Sequence, residues 1–181
     1  MTTIAIAART PRTRALSILF AASVLALAAQ FAFRIPGTPV PISFAPFIVV
    51  LAGLMLGPVD GSLAMVAYLA AGVAGLPVFA PTSPLIGIAR LMGPTGGYLL
   101  AYPVAAAVAG RFGAGKSSFV TRALAAEAGI LVLLVGGLSQ LAILNGSMKT
   151  ALVLGISPFI ALDGVKALVA AWVSGIRRKT V

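Results

Sequence analysis

Long apolar stretches separated by short clusters of proline, glycine and basic residues make up this chain. Ala15 to Phe33 is a continuous apolar run, long enough to cross a hydrocarbon core about 30 Å thick. Ala26-Leu27-Ala28 within it imitates a signal-peptide cleavage pattern, but the run exceeds a usual signal core and further spans follow, so it reads as a retained first helix. Pro36, Pro39 and Pro41 remove donors and fix φ, which makes residues 34–41 a stiff extended loop. Residues 46–56 are apolar but too short to span alone, and Gly57-Pro58 separates them from a second shortened segment, 61–74. Gly75-Leu76-Pro77 ends that pair, and Val78 to Met92 reads as a loop holding Arg90. Pro94 and Thr95 suit the start of a helix over 94–109. A basic connection, 111–122, leads to a span over 123–144, and Asn145-Gly146-Ser147 forms a turn. The last helix covers 149–176, with Pro158 kinking or restarting it. The pattern predicts a single all-α membrane domain of six transmembrane helices.

Composition agrees. The chain is 60% hydrophobic and 9% charged, against about 25% charged residues in a soluble domain. The net charge of +10 would suit nucleic acid, but the basic residues form short juxtamembrane clusters without interleaved aromatics, which excludes that partner and leaves the lipid bilayer. Nine of them (Arg9, Arg12, Arg14, Arg111, Lys116, Arg122, Arg177, Arg178, Lys179) fall on one side of six spans, and three (Arg34, Arg90, Lys149) on the other. The positive-inside rule therefore puts both termini in the cytoplasm. Without cysteine or histidine, and with Asp60, Glu127 and Asp163 as its acids, the chain offers no disulfide, no metal site and little for hydrolytic catalysis.

Asp163 and Lys166 carry the strongest chemical signal. They stand three residues apart on one helical face, and Asp163 lies about 21 Å along the helix from Arg177, in the far half of the bilayer. An ionisable group there costs at least about 2.5 kcal/mol, so it faces the bundle interior and marks a functional site. A self-neutralising pair that only packs helices is the bland alternative. Arg90, in an outer loop, falls on the same side of the bilayer. Glu127, near the start of the fifth span, is expected to complement the helix dipole and Arg122, and Asp60 to lie in the turn after Gly57-Pro58. Both are expected to be structural. Ala22 and Ala26 form a small-xxx-small seam on the first helix.

Gly110-Arg111-Phe112-Gly113-Ala114-Gly115-Lys116-Ser117 satisfies the phosphate-binding pattern G-x-x-x-x-G-K-S. That motif needs a strand before it, and residues 99–109 read as a membrane helix, so nucleotide binding is rejected.

Several motifs occur together and in order: Pro36-Gly37-Thr38-Pro39-Val40-Pro41-Ile42, Leu51-Ala52-Gly53-Leu54-Met55-Leu56-Gly57-Pro58, Tyr68-Leu69, Gly72 to Ala80, Gly93-Pro94-Thr95-Gly96-Gly97-Tyr98-Leu99 and Asp163-Gly164-Val165-Lys166. Over roughly residues 15–176 the chain resembles the BioY family, the biotin-specific substrate-binding (S) subunits of energy-coupling-factor (ECF) transporters. The resemblance implies an S-component bundle in a prokaryotic cytoplasmic membrane, biotin captured in a pocket opening outward, and no cofactor of its own. It also implies a transmembrane coupling subunit, docked on the Ala22–Ala26 seam, and two ATPase subunits. Departures from the family pattern include Ala45 where a glutamine is common, and Ala80-Pro81-Thr82-Ser83-Pro84 where glycines often follow Phe79.

Biotin presents a ureido ring with two N–H donors and a carbonyl, an apolar stem and a carboxylate. Asp163 can accept the N–H groups, Lys166 can donate to the carbonyl, and the planar fork of Arg90 suits the carboxylate. The swapped pose, with Lys166 and Arg90 sharing the carboxylate, is equally open. Thr82, Ser83, Thr95 and Tyr98 form a second tier of candidate ligand contacts, each of which could equally be a cap, a loop hydrogen bond or an interfacial anchor. Residues 35–41 read as a lid. The competing function is a self-sufficient, proton-linked carrier of biotin or another small carboxylate, acting alone or as a homo-oligomer.

Overall fold

Thr10 starts the first helix: its hydroxyl accepts from the Thr13 backbone N–H, and Pro11 supplies a preset φ at the first helical position. In this computed structural model, which describes residues 10–155 and 159–176, α1 spans Pro11–Gln30. A small antiparallel ribbon follows, β1 (Ala32–Phe33) against β2 (Ile42–Ser43), pairing Ala32 with Ser43 and Phe33 with Ile42. The helices after it are α2 (Ala45–Leu56), α3 (Pro58–Val73), the short α4 (Ile88–Met92), α5 (Gly96–Gly113), α6 (Phe119–Asn145), α7 (Met148–Gly155) and α8 (Ile160–Ile176).

The surface is apolar as well as the core, and a few charged side chains lie inside. Phe20, Ile143 and Trp172 are 72%, 81% and 62% exposed, while Arg90, Arg122 and Asp163 are buried. Helices α1 and α6 are long and apolar enough to cross a bilayer, and α2 and α3 are shorter apolar helices. Lipid tails solvate such a surface, while the polar groups find one another inside.

Small residues set the packing. Helix α5 packs against α2, α3 and α6, with Ala105, Ala106 and Ala109 fully buried. A Cβ on Gly97 would strike the Gly136 carbonyl of α6, and one on Gly53 would strike the Ala106 carbonyl of α5. Backbones approach this closely in membranes because dispersion and weak polar contacts replace the hydrophobic drive. Gly57 makes the corner between α2 and α3 at φ +88°, where any other residue would be strained, and Gly110 packs against it.

One end of the bundle gathers the start of α1, the α2–α3 corner, the α5–α6 connection and the end of α8. Arg14 Nε donates to Asp60 Oδ1 at 2.7 Å there. Arg122 donates to the carbonyls of Lys116 (3.1 Å), Ser117 (2.6 Å) and Ala171 (3.0 Å). The opposite end carries the ribbon, the segment 74–95 and α7.

Several expectations need correcting. The ribbon was not foreseen, because strands of two residues leave no periodic signal. The last helix, expected to kink or to restart, is two elements, α7 and α8, in keeping with a restart. Pro158 lies outside the described residues, as do Arg9, Arg177, Arg178 and Lys179. Asp60 is in the first turn of α3, not in a loop, since Pro58 stands at the head of that helix. Glu127 is two turns inside α6 with its carboxylate towards Gly164 of α8, and Arg122 is taken up by carbonyls. The pattern at 110–117 is the last turn of α5 followed by a helix–helix connection, with Gly115 at φ +77° and no strand before it.

Candidate functional site

Asp163 and Lys166 occupy the first turns of α8. Lys166 Nζ donates to Asp163 Oδ1 at 2.6 Å, and their side chains are 14% and 9% exposed. Both line a cavity of about 70 Å³ towards the ribbon end of the bundle. Arg90, Thr95 and Tyr98 line the same cavity.

Arg90, expected in a loop, stands instead in the short helix α4 and is only 2% exposed. Its helix, α4, begins after Gly87 at φ +57° and is held at the far end by Gln140 of α6. The Gln140 side-chain amide donates to the carbonyls of Leu91 (2.9 Å) and Gly93 (2.8 Å). Among the described residues, Arg90 Nε and Nη1 have no hydrogen-bond partner. Burial pulls its pKa below the ordinary arginine value, and the neighbouring Tyr68 and Tyr102 oppose that shift; the guanidinium keeps its proton. A buried cation with unused donors on a cavity wall is built to receive an anion or a carbonyl oxygen.

The facing wall is aromatic. Tyr68 of α3 stacks on Tyr102 of α5 (6.1 Å, 25°), and Phe79 packs edge-on against Tyr68 (5.5 Å, 76°). Tyr102 is not among the site residues expected from the sequence, although its spacing of four from Tyr98 places both on one face of α5. Tyr98 donates to the Gly155 carbonyl at 2.6 Å, so its hydroxyl also ties α5 to the end of α7. Ala45, where the family pattern often has glutamine, is buried on the cavity wall.

The proline loop covers the cavity. Val40 is buried in a small cluster with Leu141, Ala151 and Phe159, and Pro41 lines the cavity beside it. Thr38 Oγ1 donates to the Leu154 carbonyl at 2.6 Å and accepts from the Val40 N–H at 3.1 Å, which fastens this loop to α7.

Thr82 and Ser83 are not in this chamber. They line a second cavity, about 370 Å³, adjoining the first and sharing Pro41, Arg90 and Thr95 with it. The Ser83 hydroxyl accepts from the Leu85 N–H at 3.2 Å, and the Thr82 carbonyl accepts from Arg34 Nε at 2.9 Å. Ala22 and Ala26 lie at neither cavity. They are half-buried on α1, packed partly against the main core. Glu127 and Asp60 line neither cavity.

Residues 2–181 match the BioY family. A probable biotin transporter BioY of Pyrococcus horikoshii is 45% identical over 132 residues, 73% of this chain and 76% of that protein. The biotin transporter BioY of Thermotoga maritima is 35% identical over 140 residues, 77% and 82% of the two chains. That of Rhizobium etli is 34% identical over 165 residues, 86% and 87% of the two chains. Among solved structures, the S-component for biotin from an ECF-type ABC transporter superposes with a TM-score of 0.84 over 95% of each chain at 24% identity, which establishes a common fold. With residues 2–181 matched and these three relatives aligned over most of their own length, the chain belongs to the BioY family.

Proposed function

We propose that this protein captures biotin and carries it across a prokaryotic cytoplasmic membrane as the substrate-binding (S) component of an ECF transporter. It is a transport subunit and not an enzyme. The structural observation that carries the reading is the placement of a buried arginine with free donors on the same cavity as a buried acid–base pair. Biotin has complementary poles: a ureido group, which a carboxylate and an ammonium can bind, and a carboxylate, which suits a guanidinium fork. The aromatic wall of Tyr68 and Tyr102 provides apolar contact for the ring system and stem, as small-molecule pockets do. Arg90, Asp163 and Lys166 are the principal ligand residues, with Thr95 and Tyr98 beside them and Thr82 and Ser83 further out. The inner cavity alone is smaller than the roughly 300–1,000 Å³ of a usual ligand pocket. The ligand therefore extends through the shared mouth into the outer cavity, or shifts the Val40–Pro41 cover.

Six spans formed by α1, α2, α3, α5, α6 and α7–α8 put the basic end in the cytoplasm with both termini, by the excess of Lys and Arg there. The cavities then open outward, towards extracellular biotin. A transmembrane coupling subunit, meeting α1 along Ala22 and Ala26, and two ATPase subunits would supply the energy. The small side chains of that seam allow close helix approach.

Equilibrium binding of biotin to the purified full chain tests the proposal, alongside Asp163→Asn, Lys166→Met and Arg90→Ala. The expected result is tight binding by the wild type, weakened by about 2 kcal/mol or more in each variant. A folded wild-type protein without biotin affinity overturns it. Binding that survives all three substitutions moves the site elsewhere.

A further inference from the structure

The outer cavity has a composition of its own. Two guanidinium groups line it, Arg34 on the ribbon side and Arg90 on the bundle side, together with Thr82, Ser83 and Thr95. Among the described residues no carboxylate lines it. Arg34 spends its Nε on the Thr82 carbonyl, at 2.9 Å, which bridges the proline loop to the loop after α3 and leaves its two Nη nitrogens without a described partner. Arg90 is nearly inaccessible from bulk water, yet it lines both chambers, and its Nε and Nη1 are unpaired. An anion arriving from outside thus meets an exposed arginine first and a buried one second.

Building on the biotin reading, we propose that the outer cavity is a separate carboxylate-binding station, in which Arg34 receives the ligand's carboxylate and passes it to Arg90 at the mouth of the inner chamber. The physical advantage lies in rate. A positively lined, partly walled cleft concentrates an anionic ligand and raises its association rate, whereas final affinity rests on the desolvated contacts deeper in. An exposed guanidinium cannot hold a carboxylate tightly against water, so the station releases its guest readily to the buried, unpaired Arg90. The station thus takes monocarboxylates as a class, and discrimination follows in the inner chamber.

Stopped-flow binding to the purified full chain tests this, using biotin and its uncharged carboxamide with wild type, Arg34→Gln and Arg34→Lys. Gln keeps a donor for the Thr82 carbonyl and removes the charge; Lys keeps both. At about 10 mM salt the Gln variant should associate with biotin about tenfold more slowly, with an unchanged dissociation rate. The difference should vanish by about 1 M salt, where the Debye length has shrunk from about 30 Å to about 3 Å. The Lys variant should stay near wild type, and the carboxamide should bind all three at one rate. Wild-type association in Arg34→Gln overturns the station. So does a slowing that ignores salt, or one shared by the carboxamide, since either marks a loop contact. A wild type that binds neither ligand overturns the biotin reading itself, and the station with it.

Discussion

Lys166 donates to Asp163 at 2.6 Å across one turn of α8, and both side chains belong to the cavity that Arg90 also lines. The pair is self-neutralised without ligand, yet each partner retains further hydrogen-bonding capacity. Breaking a buried pair by removing one member costs about 3–5 kcal/mol, because the other charge is stranded.

Asp163→Asn and Lys166→Met should therefore each lower the unfolding midpoint in detergent as well as biotin affinity. The double variant should regain most of the stability and none of the affinity. A double variant that binds biotin like the wild type would show that the pair only packs helices.

Arg90 makes the opposite prediction for the unliganded protein. Its buried, unpaired donors are a stability cost, since an unsatisfied buried polar group loses about 1–3 kcal/mol. Arg90→Met should raise the unfolding midpoint of the ligand-free protein while abolishing most of the further rise on adding biotin. Thermal unfolding with and without ligand measures both, and a fall in the ligand-free midpoint would count against the assignment.

At the other end, Arg122 makes its three carbonyl contacts with Lys116, Ser117 and Ala171. Arg122→Met should destabilise the protein by about 3 kcal/mol or more, given three hydrogen bonds from a charged group worth about 1.5–3 kcal/mol each. Hydrogen exchange should accelerate in the last two turns of α8, and biotin affinity should change little. Unaltered exchange there would mean that helix packing alone secures α8.

The pattern at 110–117 separates a structural glycine from a motif lysine. A Cβ on Gly110 would strike the Gly57–Pro58 backbone, so Gly110→Ala should cost about 1–3 kcal/mol through overpacking. Lys116 is exposed, and Lys116→Ala should leave stability and biotin binding unchanged. Nucleotide affinity that disappears in Lys116→Ala would reverse the rejection of the motif.

The helical architecture could be read from the chain because apolar runs, proline breaks and basic flanks act over long windows. Asp163 and Lys166 could be singled out because charges in hydrocarbon are costly and therefore rare, and Arg90 because its segment falls on the same side of the bilayer as Asp163. Tyr68 and Tyr102 could not, since a tyrosine within a membrane helix looks the same whether it lines a pocket or an interface. Nor could Arg122 or Glu127. Whether a charge near a helix start is solvated or turned inward depends on which neighbour lies across the bundle, and α8 is far away in sequence. Thr82 and Ser83 were placed with the ligand residues by their loop, but a division into two chambers arises only when the proline loop folds over Arg90.

The amide of Gln140 fixes the end of α4, and one turn earlier on the same helix Gly136 lies in backbone contact with Gly97. Helix α8, with Asp163 and Lys166, packs on α6 as well. Both poles of the proposed site are thus hung from one beam, and the span between them would act as a ruler for the ligand. Sliding α6 by a single residue would displace the arginine by about 1.5 Å, comparable to lengthening an aliphatic stem by one carbon. On the proposed biotin site, discrimination by chain length would consequently reside in glycines that do not line the cavity beside Arg90 and Asp163.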